Sequence, residues 1–219
     1  MTDTFPRELR EALAGASAPL PGPEGAVRWV ALGWDDPAAA ELRALMDAEI
    51  KPRYAPYGPR PHLPPPPTAD EIAVTWVAFA ASGDPVASAS LRALPGGRWE
   101  IKRVFVRADH RGRGLASAAL AAVEASAVER GITELVLQTG ELQPEATALY
   151  TREGWHRIAP YPPYALDPYS VCFAKPLTAT LDARRERQEH SGQMRDSQTR
   201  SSQTRSSRAR DSQERGRHA

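Results

Sequence analysis

Two periods of apolar spacing alternate along the chain, and the switches between them outline its elements. AVRWVAL (residues 26–32) places apolar side chains at nearly every position and reads as a strand. The period then lengthens. Asp35 or Asp36 caps a helix with Pro37 in its first turn, running to about Glu49. EIAVTWVAFA (71–80) and PVASASLRAL (85–94) predict strands, and Ser82-Gly83-Asp84 between them gives a hairpin turn. RWEIKRVFV (98–106) is the next strand. Alternation puts Glu100, Lys102, Val104 and Val106 on one of its faces and Ile101, Arg103 and Phe105 on the other.

Residues 115–130 return to a helical period and end at Gly131, a glycine placed to stop a helix. Ala116, Leu120, Val123 and Ala127, with Ala119 beside them, form an apolar face made largely of alanine, which allows a close approach to a sheet. TELVLQT (133–139) is a strand, and residues 144–152 are a short helix with Pro144 at its start and Gly154 just past its end. RIAPY and YSVCFAKPL complete the sheet. The expected fold class is α/β, with an antiparallel first half and a strand–helix–strand second half.

Other stretches show neither period. Residues 16–25 and 54–68 read as irregular coil, the second stiffened by PRPHLPPPP. Beyond about Thr178 the chain repeats Ser, Gln, Thr and Arg with almost nothing apolar. Such a segment cannot offset the roughly 1–2 kcal/mol per residue of backbone ordering, so disorder is expected there. The expected organisation is a weakly ordered extension (1–25), one domain (26–178) and an Arg/Ser/Gln-rich tail (179–219).

Charge adds one distinction. The whole chain of 219 residues has a formal net charge of +1. From Leu181 onward there are ten arginines against six acidic residues, so the tail carries +4 and the remainder −3. Nothing global favours nucleic acid, and the tail lacks aromatic residues for base stacking, so nucleic acid is not an expected partner. A single cysteine, Cys172, excludes an intrachain disulfide, fits a reducing compartment and reads as a small core residue. The first thirty residues contain no uninterrupted apolar run, and no window reaches the roughly 18 apolar residues of a membrane span. A cytoplasmic protein with no membrane partner and no metal is expected.

The candidate chemistry lies in DHRGRGLA (109–116), between an apolar strand and the alanine-rich helix. Glycines at 112 and 114 leave backbone N–H groups unshielded where the helix dipole is positive, and Arg111 and Arg113 add charge. The octet is either a solvated turn or an anion site. It is neither a P-loop, since GxxxxGK[ST] is absent, nor a dinucleotide fingerprint, since the third glycine is missing.

EIKRVFVRADHRGRGLASAAL closely resembles motif A of the GNAT acyl-CoA N-acyltransferases, whose pyrophosphate loop is R/Q-x-x-G-x-G/A, here Arg111, Gly114 and Ala116. About 35 residues on, LQTGELQPEATALYTREGW resembles the second family motif through Ala146, Leu149, Tyr150, Gly154 and Trp155. The resemblance implies a mixed central sheet flanked by helices and an N-acetyltransferase that moves an acetyl group from acetyl-CoA to an amine. The acceptor would be a small molecule, an amino acid or a peptide. Gly112, Arg113, Gly114, Leu115 and Ala116 with Arg111 would hold the pyrophosphate, and Val104, Phe105 and Val106 the pantetheine arm.

By the same resemblance, Tyr150 would protonate the departing thiolate; read alone it is equally a packed helix tyrosine. Glu100 stands where some members carry a base, or is a strand-end glutamate paired with Lys102 or Arg103. Gln143 replaces a frequent asparagine at the cofactor and is a weaker helix cap. His62, His110 and His156 read as loop residues. Tyr54, Tyr57, Tyr161 and Tyr164 would give the acceptor side aromatic walls. A homodimer is compatible with the family. The rival classes are a non-catalytic acyl-CoA-binding module, which Tyr150 argues against, and RNA or partner binding through the tail.

Overall fold

A computed structural model of the chain describes residues 27–178; the expected extension and tail lie outside the described residues. Among these residues seven strands form one sheet in the order β1-β2-β3-β4-β5-β7-β6. They are β1 (Arg28–Leu32), β2 (Ile72–Phe79), β3 (Pro85–Ala93), β4 (Trp99–Val106), β5 (Glu134–Gly140), β6 (His156–Ile158) and β7 (Ser170–Pro176). The helices are α1 (Pro37–Tyr54), α2 (Leu115–Glu129) and α3 (Pro144–Arg152). All neighbouring strands are antiparallel except β4 and β5, which are parallel and joined through α2. The fold is the mixed α/β pattern that the periodicity predicts, arranged as the helix-flanked sheet that the resemblance implies.

The sheet is covered on both faces, and β2 shows how. Trp76 and Val77 are consecutive in a strand and therefore point to opposite sides. Val77 packs with Ala39 and Leu42 of α1, together with Leu32, Phe79 and Phe105. Trp76 donates from Nε1 to Ser126 Oγ of α2 at 2.8 Å, so α2 lies across the other face. Between the helices, β3 is buried from Pro85 to Arg92. Its small residues (PVASAS) suit a strand pressed from both sides, and Ser90 Oγ satisfies its burial against Thr75 Oγ1 at 2.9 Å.

Three local expectations change. First, α1 runs to Tyr54 rather than ending near Glu49, with Pro52 inside its last turn. A proline there removes a single N–H, while Lys51 and Arg53 sit favourably at the negative end of the dipole. Second, the buried face of α2 comprises Ala119, Leu120, Ala122, Val123, Ser126 and Ala127; Ala116 is only half-buried and turns elsewhere.

Third, the alternation along β4 breaks. Phe105 lies opposite Ser88, and Lys102 opposite Ser90, so β4 holds one more residue than β3 over this span. Arg103 takes up the excess at φ 56°, a left-handed conformation that costs a non-glycine residue about 1–2 kcal/mol. The side chains on either side of Arg103 therefore do not keep the two-residue period. β4 also leaves β5 early: the pairs are Glu100 with Val136 and Ile101 with Leu137. Past them the two strands diverge, and the candidate site lies in the opening.

Candidate active site

The octet 109–116 forms the rim of this opening. A short 3-10 turn, Ala108–His110, follows β4, and the chain then passes through Gly112 (φ 75°) and Gly114 (φ 76°) into α2. Gly114 is the N-cap, and its conformation, not lack of space, is what demands glycine: a Cβ there would touch nothing within 4 Å. None of the backbone N–H groups from 112 to 117 has a hydrogen-bond partner among the described residues. They form a row of free donors at the positive end of α2.

A cavity of about 610 Å³ lies against these donors. Val104, Phe105 and Val106 form its strand wall, Arg111, Gly112, Gly114, Leu115 and Ala116 its rim, and Gln143 and Tyr150 its α3 side. Of the residues expected to hold the cofactor, Arg113 is the exception. Its Nη2 donates to Asp109 O at 3.1 Å, and it does not border the cavity. Arg111 is pinned between elements, its Nε donating to Val106 O at 3.1 Å and its Nη2 bonded to Glu49 of α1. Glu49 also meets Arg53 at 3.0 Å, and Arg53 pairs with Glu145 of α3. Glu49 and Arg53 carry no local sign of a site; Arg53 arrives because α1 is longer than its sequence suggests.

A second cavity, of about 490 Å³, continues from the first on the other side of Tyr150. Ile101, Lys102, Arg103 and Val104 of β4 border it in unbroken succession, as the bulge at Arg103 permits. The end of β5, the end of α1, Arg60, Pro64, Pro65, Pro66, Pro67 and Tyr164 complete it. Met46, Ile50, Val104, Gln143, Ala146 and Tyr150 border both cavities. Of the four tyrosines expected on this side, Tyr54 and Tyr164 reach the cavity, whereas Tyr57 is exposed and Tyr161 is buried behind the wall.

Tyr150 is 6% exposed, its ring packed near Phe173 (5.6 Å between centroids) and Trp155 (6.3 Å). Its hydroxyl has no hydrogen-bond partner among the described residues. Burial pushes its phenol well above the ordinary range, so the proton stays on. Gln143 is the N-cap of α3 without a side-chain capping bond; its Nε2 reaches Tyr54 Oη at 3.5 Å. Tyr54 Oη also accepts from the N–H of Leu142 at 3.2 Å, and this contact makes Gly140 obligatory: a Cβ at 140 would lie 1.7 Å from that oxygen.

Glu100 lies apart from both cavities. Its side chain is fully buried. It accepts from Tyr161 Oη at 2.8 Å, Tyr164 Oη at 3.3 Å and Arg92 Nη1 at 3.3 Å, and Lys102 Nζ lies 3.7 Å away. A carboxyl group with this many donors is fixed in place behind the cavity wall. Burial, with Glu100 adding to it, raises both phenols. Lys102, Arg92 and Tyr164 stand between Glu100 and the cavity, and burial lowers the Lys102 ammonium despite the opposing effect of Glu100. Among the histidines, His110 borders the larger cavity with Nδ1 3.0 Å from Asp109 Oδ1, while His62 and His156 are exposed outside both. Among the described residues no group of three or more His, Cys, Asp or Glu is placed to hold a metal ion, and no helix is long and apolar enough to cross a membrane.

Comparison with known proteins gives this geometry a context. An IAA acetyltransferase of Azospirillum brasilense is 38% identical over 82 residues, which are 37% of this chain and 54% of that protein. N-acetyltransferase family 8 member 2 of Rattus norvegicus is 35% identical over 78 residues, 35% of this chain and 34% of that one. The chain thus spans about half or less of these curated relatives. A Klebsiella pneumoniae protein designated an acyl-CoA N-acyltransferase has a solved structure with a TM-score of 0.57 and 31% identity. The match covers 69% of this chain and 97% of that one. A GNAT-family acetyltransferase of Staphylococcus aureus shares the fold, with a TM-score of 0.53 at 13% identity over 68% of this chain and 99% of that one. Residues 42–155 match the model of the acetyltransferase (GNAT) family, and the chain belongs to that family.

Proposed function

We propose that this chain is an acetyl-CoA-dependent N-acetyltransferase in which the larger cavity takes the acyl donor and the smaller one an amine. One observation carries the reading: two cavities of different character meet at Val104, Gln143 and Tyr150, and the tyrosine there has an unspent hydroxyl. A binding module for acyl-CoA needs the first cavity and has no use for the second.

The residues present fit the donor. A pyrophosphate suits the free N–H row of residues 112–117, with the dipole of α2 and Arg111 adding attraction. Val104, Phe105 and Val106 lie beyond the last β4–β5 pair, so their β5-facing backbone edge is available to the amide groups of a pantetheine arm. When bound, acetyl-CoA supplies an acyl group activated as a thioester.

The chain's own part in the transfer is to exclude water, orient the amine and manage two protons. Tyr150 holds one of them: its hydroxyl borders both cavities without a partner among the described residues, and its proton can pass from Oη to a departing thiolate. The other must leave the amine: its nitrogen gives up one proton to water as the C–N bond forms, and water returns one to Tyr150 after the thiol departs. The cationic wall of the smaller cavity disfavours an ammonium ion and so favours the neutral, nucleophilic form.

The test is an amine library offered with acetyl-CoA, read by free thiol release and by mass spectrometry of the products. A set of acetylated amines is expected. Coenzyme A binding with no amine acetylated would turn the reading into a binding module.

A further inference from the structure

The smaller cavity has an uneven charge distribution. Lys51, Arg60, Arg92, Lys102 and Arg103 border it, against the single carboxylate of Asp47. The other carboxylates that meet these cations are Glu71 and Glu100 on Arg92 and Asp167 on Arg60, and none of the three borders the cavity. The wall is therefore layered, with cations at its surface and anions behind them. A molecule entering meets the positive layer first.

All five cations have donors to spare, and two of them, Lys102 and Arg103, are neighbours on β4. Lys102 can donate three hydrogen bonds but makes one, to Gln138 Oε1 at 3.3 Å, with Glu100 Oε1 beyond hydrogen-bond range at 3.7 Å. Arg103 can donate five and bonds Asp47 Oδ1 through Nη1 at 2.6 Å. In a regular strand these consecutive side chains would point to opposite faces. The left-handed Arg103 is what turns both toward one cavity, and such backbone strain persists where the surroundings hold it.

Resting on the acetyltransferase reading above, we propose that the acceptor is an amine bearing a carboxylate, of the amino-acid type, and that Lys102 and Arg103 bind that carboxylate. An anion placed there uses the idle donors of both side chains. It also offsets the cost of a buried ammonium at Lys102, whose charged form burial now disfavours. Polyamines, with no anion to offer and several charges to repel, fit the same wall poorly. A peptide N-terminus fits only where an acidic side chain lies close to it.

The experiment uses the full-length chain with acetyl-CoA and compares each of several amino acids with its carboxamide and with a diamine of similar length. The free acid is expected to win in kcat/KM by about 10- to 100-fold, mainly through KM, the range for loss of a hydrogen-bonded charge. Lys102→Met and Arg103→Met should each remove most of that preference while leaving the Kd for coenzyme A within about twofold of wild type. Carboxamides or diamines acetylated as well as the free acids overturn the proposal, as do variants that keep the full preference. These results leave the acetyltransferase reading standing. Acetyl-CoA bound with no amine turned over removes both.

Discussion

The two cavities that meet at Tyr150 are built by opposite means. The larger one is made of backbone: a free row of N–H groups at the start of α2, two glycines in left-handed conformation and a strand edge released from its neighbour. The smaller one is made of side chains brought from separate stretches of the chain, with Tyr54, Arg60, Arg92, Lys102, Gln138 and Tyr164 as examples. A backbone site recognises a common group, phosphate or amide, and depends little on which side chains surround it. A side-chain site recognises the particular, and its character changes with each substitution. The pairing suits an enzyme with a fixed donor and a selected acceptor.

Tyr150→Phe acts where the two meet and should have the largest effect. Turnover is expected to fall by about 10- to 1000-fold with little change in KM for acetyl-CoA, in line with the usual contribution of a general acid. Retention of more than half the rate, with chemistry rate-limiting, would leave Tyr150 a packed tyrosine and separate the cavities functionally. Gly114→Glu attacks the backbone site alone. It combines a strained left-handed side chain with a carboxylate opposed to the dipole, and calorimetry should show coenzyme A affinity reduced by about 10- to 100-fold in a folded protein. Unchanged affinity would remove the loop from the donor site.

Gly140→Ala attacks the side-chain site through its support. The added Cβ would displace Tyr54 from the N–H of Leu142, with a stability loss of about 1–3 kcal/mol, visible as a lower Tm. A Tm equal to wild type would show that Tyr54 moves aside freely. Glu49→Gln is the mildest and should strengthen binding. It frees Arg111 and Arg53 from a competing carboxylate, and the affinity for coenzyme A should rise by about 3- to 5-fold, more at low salt than at high. A weaker affinity instead would mean that Glu49 serves the site by holding Arg111 in place.

The division between the cavities is also a division in legibility. The octet 109–116 could be read as the turn into a helix because such a start has local requirements: glycines where the chain turns left-handed, a preceding strand and a following helix. The same holds for the order of strands and helices, the start of α1 at Asp36 and Pro37, and the limits of α3, since each follows from periodicity and capping within a few neighbouring residues. These are properties of the chain by itself. The bulge at Arg103 was not legible, because IKRVF keeps an ordinary strand pattern and the extra residue exists only relative to β3. Nor was the burial of Glu100. A glutamate in a strand is half exposed by default, and it took Tyr161, Tyr164 and Arg92, contributed from beyond β4, to enclose it. Tertiary structure decided these points because burial, register and cavity walls are relations between segments far apart in sequence, and no local pattern encodes which segments will meet.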